Sequence, residues 1–108
     1  MLKKSNRLDA STRLHHAKTI GGIYFTCKIT SNILSQSRFG FILSKRIDKR
    51  ATVRNHARRV ISSCIEKHLQ KIKPGKDVLF IVKKSINDAS RDDINKEVER
   101  ILKQEALI

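Results

Sequence analysis

From Ile23 to Thr30 the chain alternates: Ile23, Phe25, Cys27 and Ile29 fall on one side, Tyr24, Thr26, Lys28 and Thr30 on the other. A period of two predicts a half-buried strand with a polar, partly aromatic outer face. Before it, residues 9–20 open on two possible caps, Asp9 or Ser11, carry Leu14 and Ala17, and stop at Gly21-Gly22. That pattern predicts a short helix. Residues 31–37 read as a polar turn. Residues 38–46 begin apolar, with Phe39, Phe41, Ile42 and Leu43, and read as a second strand antiparallel to the first.

The period then lengthens. Val53, Ala57, Val60, Ile61, Cys64, Ile65, Leu69 and Ile72 recur by threes and fours, which predicts a helix over 52–72. Pro74-Gly75 ends it, and the continuous apolar run over 77–83 predicts a strand buried on both faces. Ser90 and Asp93 form a capping box ahead of Ile94, Val98, Ile101 and Leu102, the core face of a last helix. The expected order is α-β-β-α-β-α, an α/β chain forming one domain over 1–108.

Charge changes this picture most. The 108 residues carry 24 Lys/Arg against 10 Asp/Glu, a net charge of +14. Residues 1–76 hold net +15 and residues 77–108 net −1, so one electropositive surface is expected. The density peaks over residues 38–59, where 8 of 22 residues are Lys or Arg and Asp48 is the only acid. Arg50, Arg54 and Arg58 stack four apart on one helix face, with Arg59 beside Arg58. Like charges at that spacing repel by roughly a few tenths of a kcal/mol per pair. A polyanion, RNA or DNA, would offset that cost. The cluster also sits at a helix start, where backbone N–H groups and the macrodipole favour phosphate.

Other chemistry is weakly signalled. His15-His16, His56 and His68 have no zinc spacing with Cys27 or Cys64. Cys64 lies on the apolar stripe and reads as a packed thiol, and the isolated cysteines fit a reducing compartment. Asp92 and Asp93 read as helix-start acids. There is no GxxxxGK, no Ser-His-Asp plan, and no carboxylate pair beside the basic stretch, so no catalytic residue and no metal site are expected. The N-terminus lacks the apolar core of a signal peptide, and no run of 18 apolar residues exists to span a membrane. The expected location is the cytoplasm.

Arg38-Phe39-Gly40, Ser44-Lys45-Arg46, Ala51-Thr52-Val53-Arg54-Asn55-His56 and Arg58-Arg59 together resemble the signature of the bacterial ribonuclease P protein subunit. That family's pattern is approximately R-x-G, then S-K-K, then A-V-x-R-N-R and a further basic pair. Arg7-Leu8, the aromatic opening of the first strand and Pro74-Gly75-Lys76-Asp77 follow in register. The resemblance implies a small α/β (α+β) sandwich like domain 2 of ribosomal protein S5. Its mixed sheet would have about three or four strands and a left-handed β-α-β crossover. It also implies a division of labour. The RNA subunit, with bound Mg²⁺, removes the 5′ leader of precursor tRNA, while the protein binds both RNAs as a monomer in a 1:1 ribonucleoprotein. The RNA-subunit group would be Lys45, Arg46, Lys49, Arg50, Arg54, Asn55, His56, Arg58 and Arg59. The leader cleft would comprise Leu14, Lys18, Tyr24, Thr26 and Lys28.

The chain departs from that pattern at His56, where the motif has a second Arg, and at Leu14, Lys18 and Lys28, where the family carries aromatic rings. Stacking is worth about 1–3 kcal/mol per base, so leader binding is expected to lean on phosphate charge. A ribosomal-protein-like structural RNA binder would share the size and charge without needing the R-N motif. A duplex-DNA regulator would need a recognition helix less apolar along its length.

Overall fold

The computed structural model describes residues 2–9, 14 and 16–108. It contains β1 (Lys18–Ile20), β2 (Phe25–Ser31), β3 (Arg38–Ile42), α1 (Ala51–Glu66), β4 (Lys76–Val82) and α2 (Arg91–Gln104). Short 3₁₀ turns lie at Lys4–Asn6, Leu69–Lys71 and Lys84–Asp88. The sheet order is β1-β2-β4-β3. β4 pairs antiparallel with β2 and parallel with β3, so β3-α1-β4 is a β-α-β unit inside a mixed sheet.

The two expected strands therefore do not pair with each other. β4 lies between them, because its run of Val78, Leu79, Phe80 and Val82 is buried and could not stand at a sheet edge. Its burial on both faces agrees with the unbroken apolar pattern. Phe80 meets Phe25 edge-on at 5.2 Å and stacks on Phe41 at 5.6 Å. Ile61, Cys64 and Ile65 of α1 and Val98, Ile101 and Leu102 of α2 close over that face, all without solvent access. Each such side chain contributes about 1.5–3 kcal/mol of transfer free energy.

Leu79 points to the opposite face, opposite Lys28 in β2 and Gly40 in β3. The N-terminal segment pairs along the open edge of β3: Leu8 N–H donates to the Phe39 carbonyl at 2.8 Å, and Arg7 bridges Phe39 in parallel. A Cβ on Gly40 would stand 2.8 Å from the Leu8 carbonyl oxygen and 3.2 Å from Leu79 Cδ1. Only glycine lets the segment lie that close.

The helix expected over 9–20 is not what the described residues form. His16 has φ 55, which no right-handed helix tolerates, and Lys18–Ile20 is a strand antiparallel to β2. Gly21-Gly22 closes a hairpin between them, and burial of Ile20 on the core outweighs the local helical pattern. The Ser11 cap and the rest of that expectation fall on residues 10–13 and 15, outside the described residues. Ile23, expected inward, precedes β2 and is 69 % exposed.

α1 starts one residue before its expected start and ends at Glu66, not near Ile72. His68 N–H bonds to the Ile65 carbonyl, Lys71 N–H to His68 and Ile72 N–H to Leu69, so the last turns tighten to 3₁₀ geometry. Leu69 and Ile72 still pack on the core, which preserves the apolar period without the α-helix. α2 has the expected capping box of Ser90 and Asp93. Its buried Glu97 accepts backbone N–H bonds from Ile23 and, at 2.9 Å, from Tyr24, which moors the β1–β2 hairpin to the helix.

Candidate nucleic-acid interface

The connection from β3 to α1 carries the cationic cluster, and its shape comes from the one acid within it. Asp48 Oδ1 accepts from Arg50 N–H at 2.8 Å and from Arg50 Nε at 3.1 Å, while Oδ2 accepts from Nη2 at 3.0 Å. These side-chain bonds, then the backbone bond, pull the Asp48 carboxyl down to about 2. Arg54 reaches back from the first turn of α1, and its Nη1 donates to the carbonyls of Asp48 at 2.8 Å and Lys49 at 2.9 Å. Buried Ile47 plugs the turn into the core, and its carbonyl accepts from Asn87 Nδ2 at 2.7 Å. The turn is therefore fixed from three sides.

This divides the basic residues into two groups. Arg50 and Arg54 are occupied in holding the backbone. Lys45, Arg46, Lys49, His56 and Arg59 are exposed, and among the described residues none of their side chains has a hydrogen-bond or ion-pair partner. Arg58 is exposed as well and donates only to its neighbour Asn55 Oδ1, at 3.2 Å. α1 has no side-chain cap and no acid in its first turn, whereas α2 has its capping box with Asp92 and Asp93. α1 thus begins without a side-chain cap or an acid in its first turn, with Lys45, Arg46 and Lys49 preceding it and His56, Arg58 and Arg59 in its next turns.

The five residues of the expected cleft are not brought together. Thr26 and Lys28 lie side by side on the sheet face opposite the helices, with Lys28 exposed and aligned with Thr19 of β1 and Leu79 of β4. Lys18 aligns with inward-facing Ile29 and donates from Nζ to the buried carboxylate of Glu105 at 3.1 Å, on the helix side. The register puts it one residue out of phase with Lys28. Tyr24 precedes β2 and packs against the helix-side core. Burial, then the carboxylates of Asp93 and Glu97, push its hydroxyl pKa up. Leu14 is half-buried and belongs to no strand or helix.

Among the described residues no three His, Cys, Asp or Glu side chains group to hold a metal ion; His15 lies outside them. Asp48, the acid nearest the cluster, is engaged on both oxygens. Burial raises Cys27 to about 12 and also pushes Cys64 up, so both are inert packed thiols. No helix among the described residues is long and apolar enough to cross a membrane.

Two features of the interface are not legible as chemistry along the chain. One is the structural use of Arg54, whose spacing made it look like another phosphate ligand. The other is a cavity that joins Arg58 and Arg59 to apolar residues of the N-terminal segment and β3. The Asp48-x-Arg50 pair, a lone acid inside a basic run, was the available signal for the first.

A mixed sheet with one parallel β-α-β unit, whose helix start carries unpaired cations, defines a small basic α/β domain built to meet a polyanion. Residues 2–106 match the family described as Ribonuclease P. The chain is 36% identical over 90 residues to the ribonuclease P protein component of Clostridioides difficile strain 630, covering 82% of this chain and 78% of that one. It is 34% identical over 111 residues to that of Fusobacterium nucleatum, covering 95% and 99%. The fold is that of the Staphylococcus aureus RNase P protein, with TM-score 0.75 at 23% identity over 84% of this chain and 83% of that one. The Thermotoga maritima RNase P protein gives TM-score 0.74 at 20% identity, over 82% and 84%. The chain belongs to the ribonuclease P protein family. Its function is that of the protein component of the endoribonuclease that matures tRNA 5′ ends, and its partner is the RNA of that ribonucleoprotein.

Proposed function

We propose that this protein docks on the catalytic ribonuclease P RNA through Lys45, Arg46, Lys49, His56, Arg58 and Arg59, grouped around the uncapped start of α1. Asn55 orients Arg58, while Arg50 and Arg54 shape the turn that presents the others. The observation that carries this reading is the asymmetry of the cluster: its acid is consumed internally and its exposed cations are not. A 1:1 complex with a protein monomer, in the cytoplasm, follows the same reading. The 5′ leader of precursor tRNA lies on the outer sheet face, where Thr26 and Lys28 meet its phosphates. Lys18 and Tyr24, being on the helix side, have no part in that contact. Mg²⁺ belongs to the RNA.

The test is to add the purified protein to a bacterial ribonuclease P RNA at low Mg²⁺ and follow a precursor tRNA. Appearance of the mature 5′ end only when both are present supports the reading. RNA binding without any gain in cleavage supports a structural RNA binder of the ribosomal kind. Cleavage at that site by the protein freed of RNA defeats it.

A further inference from the structure

A cavity of about 600 Å³ opens away from the turn, between the N-terminal segment, the end strand β3 and the exposed side of α1. Its volume lies in the range of about 300–1,000 Å³ usual for small organic ligands. Its floor is apolar: Leu8 and Phe39 are buried, and Phe41, stacked on Phe80, is half-buried. Arg7, Arg58, Arg59, Ser62 and Glu66 line it as well, three basic side chains against one acid.

We propose that this cavity takes one unstacked nucleotide of the RNA partner, its base against Phe41 and its phosphate on Arg58 and Arg59. The proposal rests on the ribonucleoprotein reading above and adds a base-binding site to it. Three observations select a nucleotide. An apolar peptide segment would have to desolvate three guanidiniums against the single carboxylate of Glu66. A simple anion would leave the apolar floor exposed to water. Arg58 stands eight residues along α1 from Arg50, about 12 Å of helix axis, so a backbone held at the helix start reaches the cavity within a few nucleotides. Arg59 has no acceptor among the described residues, and Arg58 has only Asn55. A base stacked on an aromatic wall with its phosphate on arginine is a sequence-tolerant mode of single-strand binding.

The experiment is an amide-resolved NMR titration of the full chain with adenosine 5′-monophosphate, adenosine and inorganic phosphate, repeated on Ser62→Phe, whose ring occupies the cavity. The nucleotide should shift the amides of Phe41, Ser62 and Ser63 saturably and bind about tenfold tighter than either of its halves. Ser62→Phe should abolish that response and weaken binding to ribonuclease P RNA about tenfold. Inorganic phosphate matching the nucleotide in affinity would overturn the proposal, as would nucleotide shifts confined to residues 44–50. The wild-type titration decides these points even if Ser62→Phe does not fold. Failure of the wild-type chain to bind ribonuclease P RNA would defeat the functional reading itself. Intact RNA binding by wild type and Ser62→Phe alike, with no nucleotide response, would defeat the base site alone.

Discussion

The guanidinium of Arg54 is hydrogen-bonded to the carbonyl of Asp48, 2.8 Å away and six residues earlier in the chain. An arginine of the basic motif thus acts on its own backbone, and the RNA-facing charge belongs to its neighbours. Arg54→Ala should therefore lower stability by about 1–2 kcal/mol, the scale of a charged donor lost from one half-buried and one exposed carbonyl. It should also weaken RNA binding by loosening the turn. Arg58→Ala should weaken RNA binding with the melting temperature unchanged. Thermal melts paired with RNA titrations of the two variants separate these roles; equal melting temperatures would show that Arg54 does not hold the turn.

Binding to ribonuclease P RNA should fall steeply with salt. Each phosphate neutralised adds about 0.7–0.9 to the slope of log affinity against log salt. Arg58→Ala and Lys45→Ala should each flatten the slope by about one contact. Titrations at four or five salt concentrations measure it, and a flat response would show that the net charge is not what binds.

Arg38 and Asn32 give a pH signature. Asp77 is pushed up by burial, but hydrogen bonds from Arg38 at 2.7 and 2.9 Å and from Asn32 at 2.7 Å outweigh this and leave its pKa below the ordinary carboxylate value. A depressed folded-state pKa contributes stability that is present above the unfolded value, about 3.9, and is lost as pH falls through the folded one. The melting-temperature advantage of wild type over Asp77→Asn should be constant from pH 7 to about 5 and shrink below about 4. An advantage that persists unchanged to pH 2 would show that the carboxylate charge is not its source. Asp48, held near 2 by Arg50, titrates with the same sign.

Ile61 is fully buried under the sheet, and Ile61→Ala should lower stability by about 2–5 kcal/mol as a core truncation. Gly40→Ala should destabilise by a different route, driving a methyl into the Leu8 carbonyl and separating the N-terminal segment from β3. Denaturant unfolding checks both. A Gly40→Ala protein as stable as wild type would mean that this pairing is not tight in solution.

Lys28 tests the outer face. Lys28→Ala should reduce the affinity a long leader gains over a short one, and reduce its salt dependence by about one contact. Lys28→Phe should restore the gain with less sensitivity to salt and more to the leader's bases, because a ring reads base faces and an ammonium reads charge. Both should bind ribonuclease P RNA as wild type does, since Lys28 lies across the sheet from α1. Precursor tRNAs with long and short leaders, titrated against the holoenzyme, give the answer; an intact long-leader advantage in Lys28→Ala removes Lys28 from the site.

The elements that repeat a clean period could be read along the chain because their physics is local. The alternation of Phe25, Cys27 and Ile29, the threes and fours of Ala57, Ile61 and Cys64, and the Ser90–Asp93 box each depend on residues within a turn or two. The density of cations over 38–59 is likewise a property of the chain alone, and it pointed to a polyanion before any fold existed. Pairing could not be read this way. Nothing near Arg38 says that its strand lies beside Asp77, 39 residues on, instead of beside the strand just before it; the need to bury β4 on both edges decides that. The strand at Lys18–Ile20 exists because β2 offers a free edge and the core has room for Ile20, and those long-range gains override a weak helical pattern. Tertiary structure also divided the arginines. Spacing puts Arg54 and Arg58 on one face, but only the path of the turn through Asp48 and Lys49 brings two carbonyls within reach of Arg54 and leaves Arg58 facing solvent.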